Sequence, residues 1–333
     1  MSQMNPRYRR LLIPGLLLLL VTVVVVSALL PAARAVPHPS TPAVDAAVKS
    51  HVVAGPADED DKDDKDDKDD KVSVIRDKRI PESSALVVST RDPELGYTVN
   101  DSGNDPLVFT LELSSGDVVG TTRLTGHTIK DTEALAIDSA DELLVADIGD
   151  NDSERNDIAI YALAQPGRGD GQVRPTRYPL RYSGGPTDAE ALLADPTGTD
   201  VFVVSKGLFG GELYRLPADL VADEVNIVRP VPGVTMPLLA TDGGYYPDGS
   251  RVLVRNYIRA YAYDPATWER TWARPIPPQE QGESLAVEPD GQSFLVGTEG
   301  LPSPLLRLGL GRESREQPTR LFDAGGIIDA SAD

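Results

Sequence analysis

Hydrophobic and polar positions alternate with a short period over most of this chain. From Val72 onward, short runs of alternating or β-branched residues are closed by Asp, Pro and Gly turns roughly every 8 to 12 residues. Long stretches with helical periodicity are missing from the same region. The pattern is typical of an all-β fold built from many short strands.

One unit recurs along this region, with an acidic residue, a strand, a tight turn and a second strand. Its copies begin at Glu82, Glu133, Glu190, Thr241 or Asp242, and Glu283. Two further strand-like segments follow each copy, as in residues 157–163 and 173–182. Four strands per unit, in repeats of roughly 40 to 57 residues, are typical of the blades of a β-propeller.

The sequence therefore predicts an all-β propeller of five four-stranded blades over residues 72–333. The segment Val72–Ile80 is left over, and we expect it to pair with the last blade, because a closed ring leaves no strand edge free. A sixth, poorly marked blade is one alternative. A two-sheet sandwich with coincidental spacing is another.

The N-terminal segment has the pattern of an export signal. Three arginines in the first ten residues precede an uncharged apolar run over residues 11–30, and Ala33 and Ala35 give an A-x-A cleavage pattern. The run is longer than the roughly 7 to 15 residues of a cleaved signal and matches the roughly 20 that cross a bilayer. Residues 1–35 are thus a signal peptide or an uncleaved membrane anchor, and both place the remainder outside the cell or on its surface.

Residues 36–71 form a linker in this interpretation. Their first part is rich in Pro, Ala, Ser and Val, and residues 58–71 read DEDDKDDKDDKDDK. A segment with so little to bury and such a charge density is predicted to be disordered and solvated.

Composition excludes several classes of function. The chain has no cysteine, which removes disulfides, thiolate catalysis and Cys-ligated zinc. A net charge of −20 argues against a nucleic-acid partner, which requires a basic surface. Of three histidines, only His127 lies within the predicted propeller.

Several short motifs resemble a group of secreted β-propeller proteins common in high-GC bacteria. They are Asp101–Gly103 (DSG), Thr132–Leu135 (TEAL), Ala146–Asn151 (ADIGDN), Pro247–Gly249 (PDG) with Val254–Tyr257 (VRNY), and Gly282–Ala286 (GESLA). More distantly, the chain is similar to esterase-like phytase and gluconolactonase-type propellers. The resemblance covers roughly residues 72–323 and implies a propeller with an acidic, often calcium-binding channel mouth. It implies no particular reaction.

The repeated acids are predicted to meet at that mouth. The first strand of a blade lines the channel and the second runs back beside it, so the start of one and the end of the other emerge on one face. Crowded carboxylates must be protonated or neutralised by cations, and oxygen ligands favour Ca²⁺. The predicted metal ligands are Glu82, Asp101, Glu133, Asp147, Asp150, Asn151, Glu190, Asp242, Glu283 and Glu299.

Each part of this site has a structural alternative. The ADIGDN loop can be a turn in which Asp and Asn side chains bond their own backbone. The repeated glutamates can accept N–H bonds from a neighbouring blade and so fix blade packing. Lys206 and Arg255, at second-strand ends, either pair with nearby carboxylates or bind an anionic group of a substrate.

Two functions are compatible with these features. The first is an exported binding module for a small molecule, a glycan or an envelope protein, acting as a monomer that reaches the membrane only through its N-terminal segment. The second is a calcium-dependent hydrolase of an ester, lactone or phosphoester, in which Glu133 or Glu283 activates water and His127 acts as a base or contacts substrate.

Overall fold

The structure is a computed structural model that describes residues 70–310. The predicted signal segment and nearly all of the predicted linker lie outside the described residues, as do residues 311–333. Within the described range, no helix is long and apolar enough to cross a membrane.

The described residues form β-strands and turns, without a helix. The strands are β1 Asp70–Ile75, β2 Ser83–Val88, β3 Leu95–Asn100, β4 Leu107–Glu112, β5 Asp117–Leu124, β6 Thr132–Ile137, β7 Glu142–Asp147, β8 Ala159–Ala164, β9 Gly171–Val173, β10 Thr176–Tyr182, β11 Ala189–Ala194, β12 Val201–Ser205, β13 Leu213–Arg215, β14 Asn226–Pro230, β15 Ala240–Tyr245, β16 Val252–Asn256, β17 Arg259–Tyr263, β18 Arg270–Pro275, β19 Leu285–Val287, β20 Ser293–Val296 and β21 Ser303–Gly309. The all-β prediction is confirmed.

The strands group into five antiparallel units of four. Unit 1 is β2–β5, unit 2 is β6, β7, β8 and β10, unit 3 is β11–β14, unit 4 is β15–β18, and unit 5 is β19, β20, β21 and β1. Units 2 and 3 share one eight-stranded sheet because β10 pairs in parallel with β14. That sheet is nearly closed, since its end strands β6 and β11 lie next to each other.

One predicted segment is divided in the structure. The sequence pattern predicts a single strand over residues 173–182, but Pro175 lies between β9 and β10. Proline has no N–H to donate to a sheet, so the pairing breaks there. The short β9 instead pairs in parallel with β5 and extends unit 1.

The N-terminal strand completes the last unit. β1 pairs antiparallel with β21, from Asp70 opposite Arg307 to Ile75 opposite Ser303. The expected pairing of this segment with the last unit is confirmed, although the strand begins at Asp70, two residues before the boundary expected from sequence. The ends of the described chain are thereby joined in one sheet.

The first strands of the five units are neighbours in chain order. β2 lies beside β6, β6 beside β11, β11 beside β15, β15 beside β19, and β19 beside β2. All five line one cavity of about 120 Å³. The hydrophobic core is divided accordingly into five clusters, and each cluster joins two consecutive units, including unit 5 with unit 1.

The closing strand should contribute measurably to stability. Ile75 of β1 is fully buried in the cluster between units 5 and 1. We expect Ile75→Ala to lower the free energy of unfolding by roughly 2 to 5 kcal/mol, because it removes buried methyl groups and leaves a cavity. Urea unfolding measures the change. Val72→Ala, in the same strand but only partly buried, is the control, and equal effects of the two would contradict a closing role for β1.

Candidate functional site

The first strand of each unit carries one extra residue at the same place. In units 1 to 4, the pairing with the second strand shifts by one position near the start of the first strand. The extra residues are Ser84, Glu133, Glu190 and Thr241. Such a β-bulge turns a side chain away from the regular alternation of the strand.

Unit 5 has the same shift in its hydrogen bonds. Gly297 donates its N–H to the carbonyl of Ser284, whereas Glu299 donates to the carbonyl of Gln281. Three steps along the segment that leads into β19 therefore face two steps along the segment that follows β20, and Glu283 occupies the place of the extra residue. The repeated position thus holds Glu133, Glu190 and Glu283.

This register corrects the predicted repeat in unit 1 and decides it in unit 4. Ser84, not Glu82, occupies the repeated position in unit 1, and Thr241 is the one of the two expected residues that occupies it in unit 4. The predicted frame is wrong in unit 1 because an extra residue cannot be detected from strand alternation alone.

A second set of acids lies two residues before the bulges. The carbonyls of Glu82, Asp131 and Asp188 accept N–H bonds from Asp101, Gly149 and Lys206 at the ends of the second strands. Asp131 and Asp188 are absent from the residues predicted by sequence. The signal that could have found them is an acidic residue two positions before each of Glu133 and Glu190.

The repeated glutamates converge. Glu133, Glu190 and Glu283 are all buried, and burial raises the pKa of each carboxyl above its usual value. The charge of Glu190 raises the pKa of Glu133 further, and the charge of Glu283 does the same for Glu190. The side chains of three separate units therefore share one electrostatic environment.

The tightest group of acids comprises Asp101, Asp131 and Glu133, which we call the carboxyl triad. One oxygen from each lies within 4.8 Å of the others. Asp131 is only 8% exposed, and burial, together with Asp101, raises its pKa to about 7. Its Oδ1 atom is buried and has no hydrogen-bond partner.

Ser84 and Gly149 lie against the carboxyls of the triad. Ser84 donates its hydroxyl to Glu133 Oε2 at 2.7 Å, which orients that carboxyl. Gly149 closes the other side, where a Cβ atom would lie 2.5 Å from both Asp131 Cγ and Glu133 Oε1. Position 149 must therefore be glycine for these two carboxyls to occupy their present positions.

Lys206 neutralises the adjacent part of the cluster. Its ammonium lies 2.6 Å from Glu190 Oε1 and 5.6 Å from the centre of the Tyr257 ring. Burial lowers the pKa of Lys206, but the charges of Glu190 and Glu283 outweigh that effect and keep it above its usual value. The expected ion pair is present, and Lys206 is occupied by it.

Two further predicted acids, Glu82 and Glu299, belong to the same electrostatic environment. Burial and the charge of Glu283 raise the pKa of Glu299 to about 8, with Asp101 and Glu82 contributing in the same direction. Glu82 Oε2 accepts a hydrogen bond from Asn104 at 2.6 Å. Glu299 therefore binds a proton near neutral pH unless a cation replaces it.

Asp242 is part of the packing between strands, which corrects its prediction as a metal ligand. It is completely buried, and its carboxylate accepts N–H bonds from Gly243, Leu285 and Leu86, at 2.8, 2.7 and 3.4 Å. The last two donors belong to β19 and β2. This is the structural alternative foreseen for the repeated acids, found in unit 4.

Arg255 is likewise unavailable to a substrate, contrary to expectation. It is 0% exposed and donates to the carbonyls of Ser284 and Gly297 and to Gln279 Oε1, at 2.9, 3.3 and 3.0 Å. Burial lowers its pKa to about 10. Arg255 therefore fastens unit 4 to unit 5.

The ADIGDN loop forms the self-bonded turn. Asp147 Oδ1 accepts bonds from the Asp131 N–H and from Arg155 Nη2, at 3.0 and 2.6 Å. Asp150 accepts the N–H groups of Glu154 and Arg155, and Asn151 is exposed. These contacts orient the loop beside the triad, and Asp147 and Asp150 are not part of the triad itself.

The described contacts of His127 are with residues outside the carboxyl cluster. It lies in the connection between β5 and β6, and its ring packs against Tyr161, with centroids 5.5 Å apart. Its contacts among the described residues include no carboxyl of the cluster, so its expected catalytic role gains no support from the geometry.

No protein-family model matches the chain, and a search of curated proteins finds no match. The function is therefore inferred from the geometry of the carboxyl cluster.

The cluster should make stability depend on pH. Asp131 and Glu299 have pKa values of about 7 and 8, against usual values of 3.8 and 4.5, so the folded chain binds more protons than the unfolded chain between these limits. The free energy of unfolding should consequently fall as pH rises from about 5 to 8 in the presence of a chelator. Urea unfolding at several pH values measures this.

Asp131→Asn combined with Glu299→Gln is the control for that measurement, because it removes two of the carboxyls whose pKa is raised. The slope should become shallower in this double variant, and the other buried carboxyls account for what remains. A wild-type stability that stays constant or increases over the same pH range would contradict the assignment.

Removing Lys206 should lower the free energy of unfolding, because its partner Glu190 is buried. Lys206→Met leaves Glu190 buried without a cation, and we expect a loss of about 3 kcal/mol, at the low end for a buried pair because Lys206 is still 18% exposed. Adding Glu190→Gln should recover most of the loss. Urea unfolding of the two single variants and the double variant gives the coupling, and additive effects would contradict a pair.

Proposed function

We propose that the chain is an exported five-bladed β-propeller that serves as a binding module, with one calcium ion held by the carboxyl triad at its channel mouth. The five units are the blades in this proposal. Its fold is supported by the neighbouring first strands, the cavity they line, the five interfacial core clusters and the strand β1 that joins the ends. The N-terminal apolar segment supports export to the cell surface or beyond.

The observation that carries the ion is the geometry of the triad. Oxygens of three carboxyl groups lie within 4.8 Å of one another, and Asp131 Oδ1 has no hydrogen-bond partner, so a shared cation would reduce the repulsion among them. Two oxygens on one Ca²⁺ are at most about twice 2.3 to 2.6 Å apart, so the separation fits a shared ion.

The donor atoms favour calcium over softer metals. The triad offers only oxygen, and the chain contains no cysteine. Three carboxyls leave positions on calcium for water or for an oxygen of a ligand. A single ion is expected, because Lys206 already supplies the positive charge beside Glu190.

The resemblance to secreted bacterial propellers with acidic mouths agrees with this proposal. It adds no reaction, and the binding module is the function that the geometry supports best.

A hydrolase is the second candidate, and one observation favours it. Glu283 Oε2 is buried without a hydrogen-bond partner, so this oxygen is free to accept a proton from water as a general base. Glu133 would bind the ion in this scheme and leave Glu283 as the base. Turnover of generic ester and phosphoester substrates that needs calcium and is lost in Glu283→Gln would establish it.

Calcium titration tests the main proposal. The full chain should bind calcium with a rise in melting temperature, because a ligand that binds only the folded state stabilises it. Asp131→Asn should raise the calcium concentration needed for the same rise in melting temperature about tenfold, because it removes one charged ligand. Differential scanning calorimetry over a calcium series measures both.

Comparison between variants is essential, because residues 58–71 carry ten acids that attract cations loosely. Glu142→Gln is the matched control, since Glu142 is exposed at the other end of the same pair of strands. An unchanged response in Asp131→Asn, or an equal loss in Glu142→Gln, would overturn the calcium site.

A further inference from the structure

Exposed apolar side chains gather on the face that holds the channel mouth. Among residues 71–310, seven large hydrophobic side chains are exposed, and five of them lie in loops that begin or end at the mouth. These five are Leu208, Phe209, Leu238, Ile258 and Leu301. We call the first four, which come from units 3 and 4, the apolar rim.

Hydrogen bonds join the loops of the rim. Leu239 donates its N–H to the Gly207 carbonyl at 2.9 Å, and Asn256 Nδ2 donates to the Leu238 carbonyl at 3.2 Å. Asn256 Oδ1 in turn accepts the N–H of Ile258 at 3.1 Å. The three loops therefore form one surface with a defined shape.

The turn that carries Leu208 and Phe209 depends on its flanking glycines. A Cβ on Gly207 would lie 2.1 Å from the Gly210 carbonyl oxygen, and Gly210 has a φ of 133°. This tight turn directs Phe209 outward, where it is 100% exposed. A phenylalanine so placed adds nothing to the core, and such apolar surface is typical of interaction sites.

Lys206 connects the rim to the acids. Lys206 immediately precedes the glycine turn, and its charge is already shared with Glu190. Beyond it, the partly exposed carboxyls of Glu82, Asp101 and Glu299 occupy the side of the mouth formed by units 1 and 5. An apolar half and an acidic half thus adjoin on one face.

We propose that this face docks a polypeptide segment in which apolar side chains adjoin a lysine or arginine. The apolar residues would cover the rim, and the cation would meet the acids of the mouth, so both halves of the face are matched by one partner. An anionic lipid surface is disfavoured, because the same acids would repel it. This inference rests on the proposed function as a binding module and names the class of its partner.

Selection from a displayed library of random short peptides on the purified full chain tests the inference. A variant with Phe209→Ser and Ile258→Ser serves for counter-selection. Enriched peptides should combine Leu, Phe or Trp with Lys or Arg, and their affinity should fall about tenfold or more in that variant. Val225→Ser, an exposed valine in the β13–β14 loop, is the matched control and should leave affinity unchanged.

Enrichment of uncharged or acidic peptides, or equal recovery by the counter-selected variant, would overturn the inference. A photo-crosslinking residue in place of Phe209 identifies other occupants: a cross-linked dimer, a link to residues 311–333 of the same chain, or a link to anionic vesicles would each contradict it. Calcium-induced stabilisation of the Phe209→Ser, Ile258→Ser variant separates the two proposals. If the chain binds calcium but selects no peptide, only the docking proposal is contradicted. If it binds peptide but no calcium, only the calcium proposal is contradicted.

Discussion

Buried carboxyl groups of like charge meet at one end of this fold, and the rest of the site depends on how they are neutralised. Burial raises the pKa of Glu133, Glu190 and Glu283, the charge of Glu190 raises the pKa of Glu133 further, and the charge of Glu283 does the same for Glu190. Lys206 resolves the conflict for Glu190 with an internal cation. Burial and Asp101 raise the pKa of Asp131 by more than the charge of Arg155 lowers it, so the Asp131 carboxyl still favours a proton or a bound ion.

The β-bulges explain why the acids can be brought together without breaking the core. An extra residue in each first strand turns one side chain away, while the following residues continue to pack between units. Unit 4 uses the same framework differently, with Thr241 at the bulge. Its acid, Asp242, bonds backbone N–H groups of units 5 and 1, and Arg255 bonds carbonyls of unit 5. One architecture therefore supports both the convergent carboxyl groups and a purely structural polar network.

The proposed ion site and the proposed docking face use different features of the structure. In the proposal a small ion needs only the triad, whose oxygens are close and whose loop is held by Asp147 and Arg155. A larger partner would meet the apolar rim, where Phe209 and Ile258 are exposed. Calcium keeps coordination positions open for ligand oxygens, so a module with both features would couple the ion to a partner.

Local patterns determined the strands, the five repeated units and the approximate place of the acids, because alternation and turn residues depend on neighbours in sequence. The pairing of residues 70–75 with β21 was also predictable from sequence, since an unpaired edge is unfavourable. Tertiary structure alone decided which acids converge. A one-residue bulge changes register without changing composition, so Ser84 could not be placed from alternation and the choice between Thr241 and Asp242 stayed open. The full burial of Arg255 depends on packing between units.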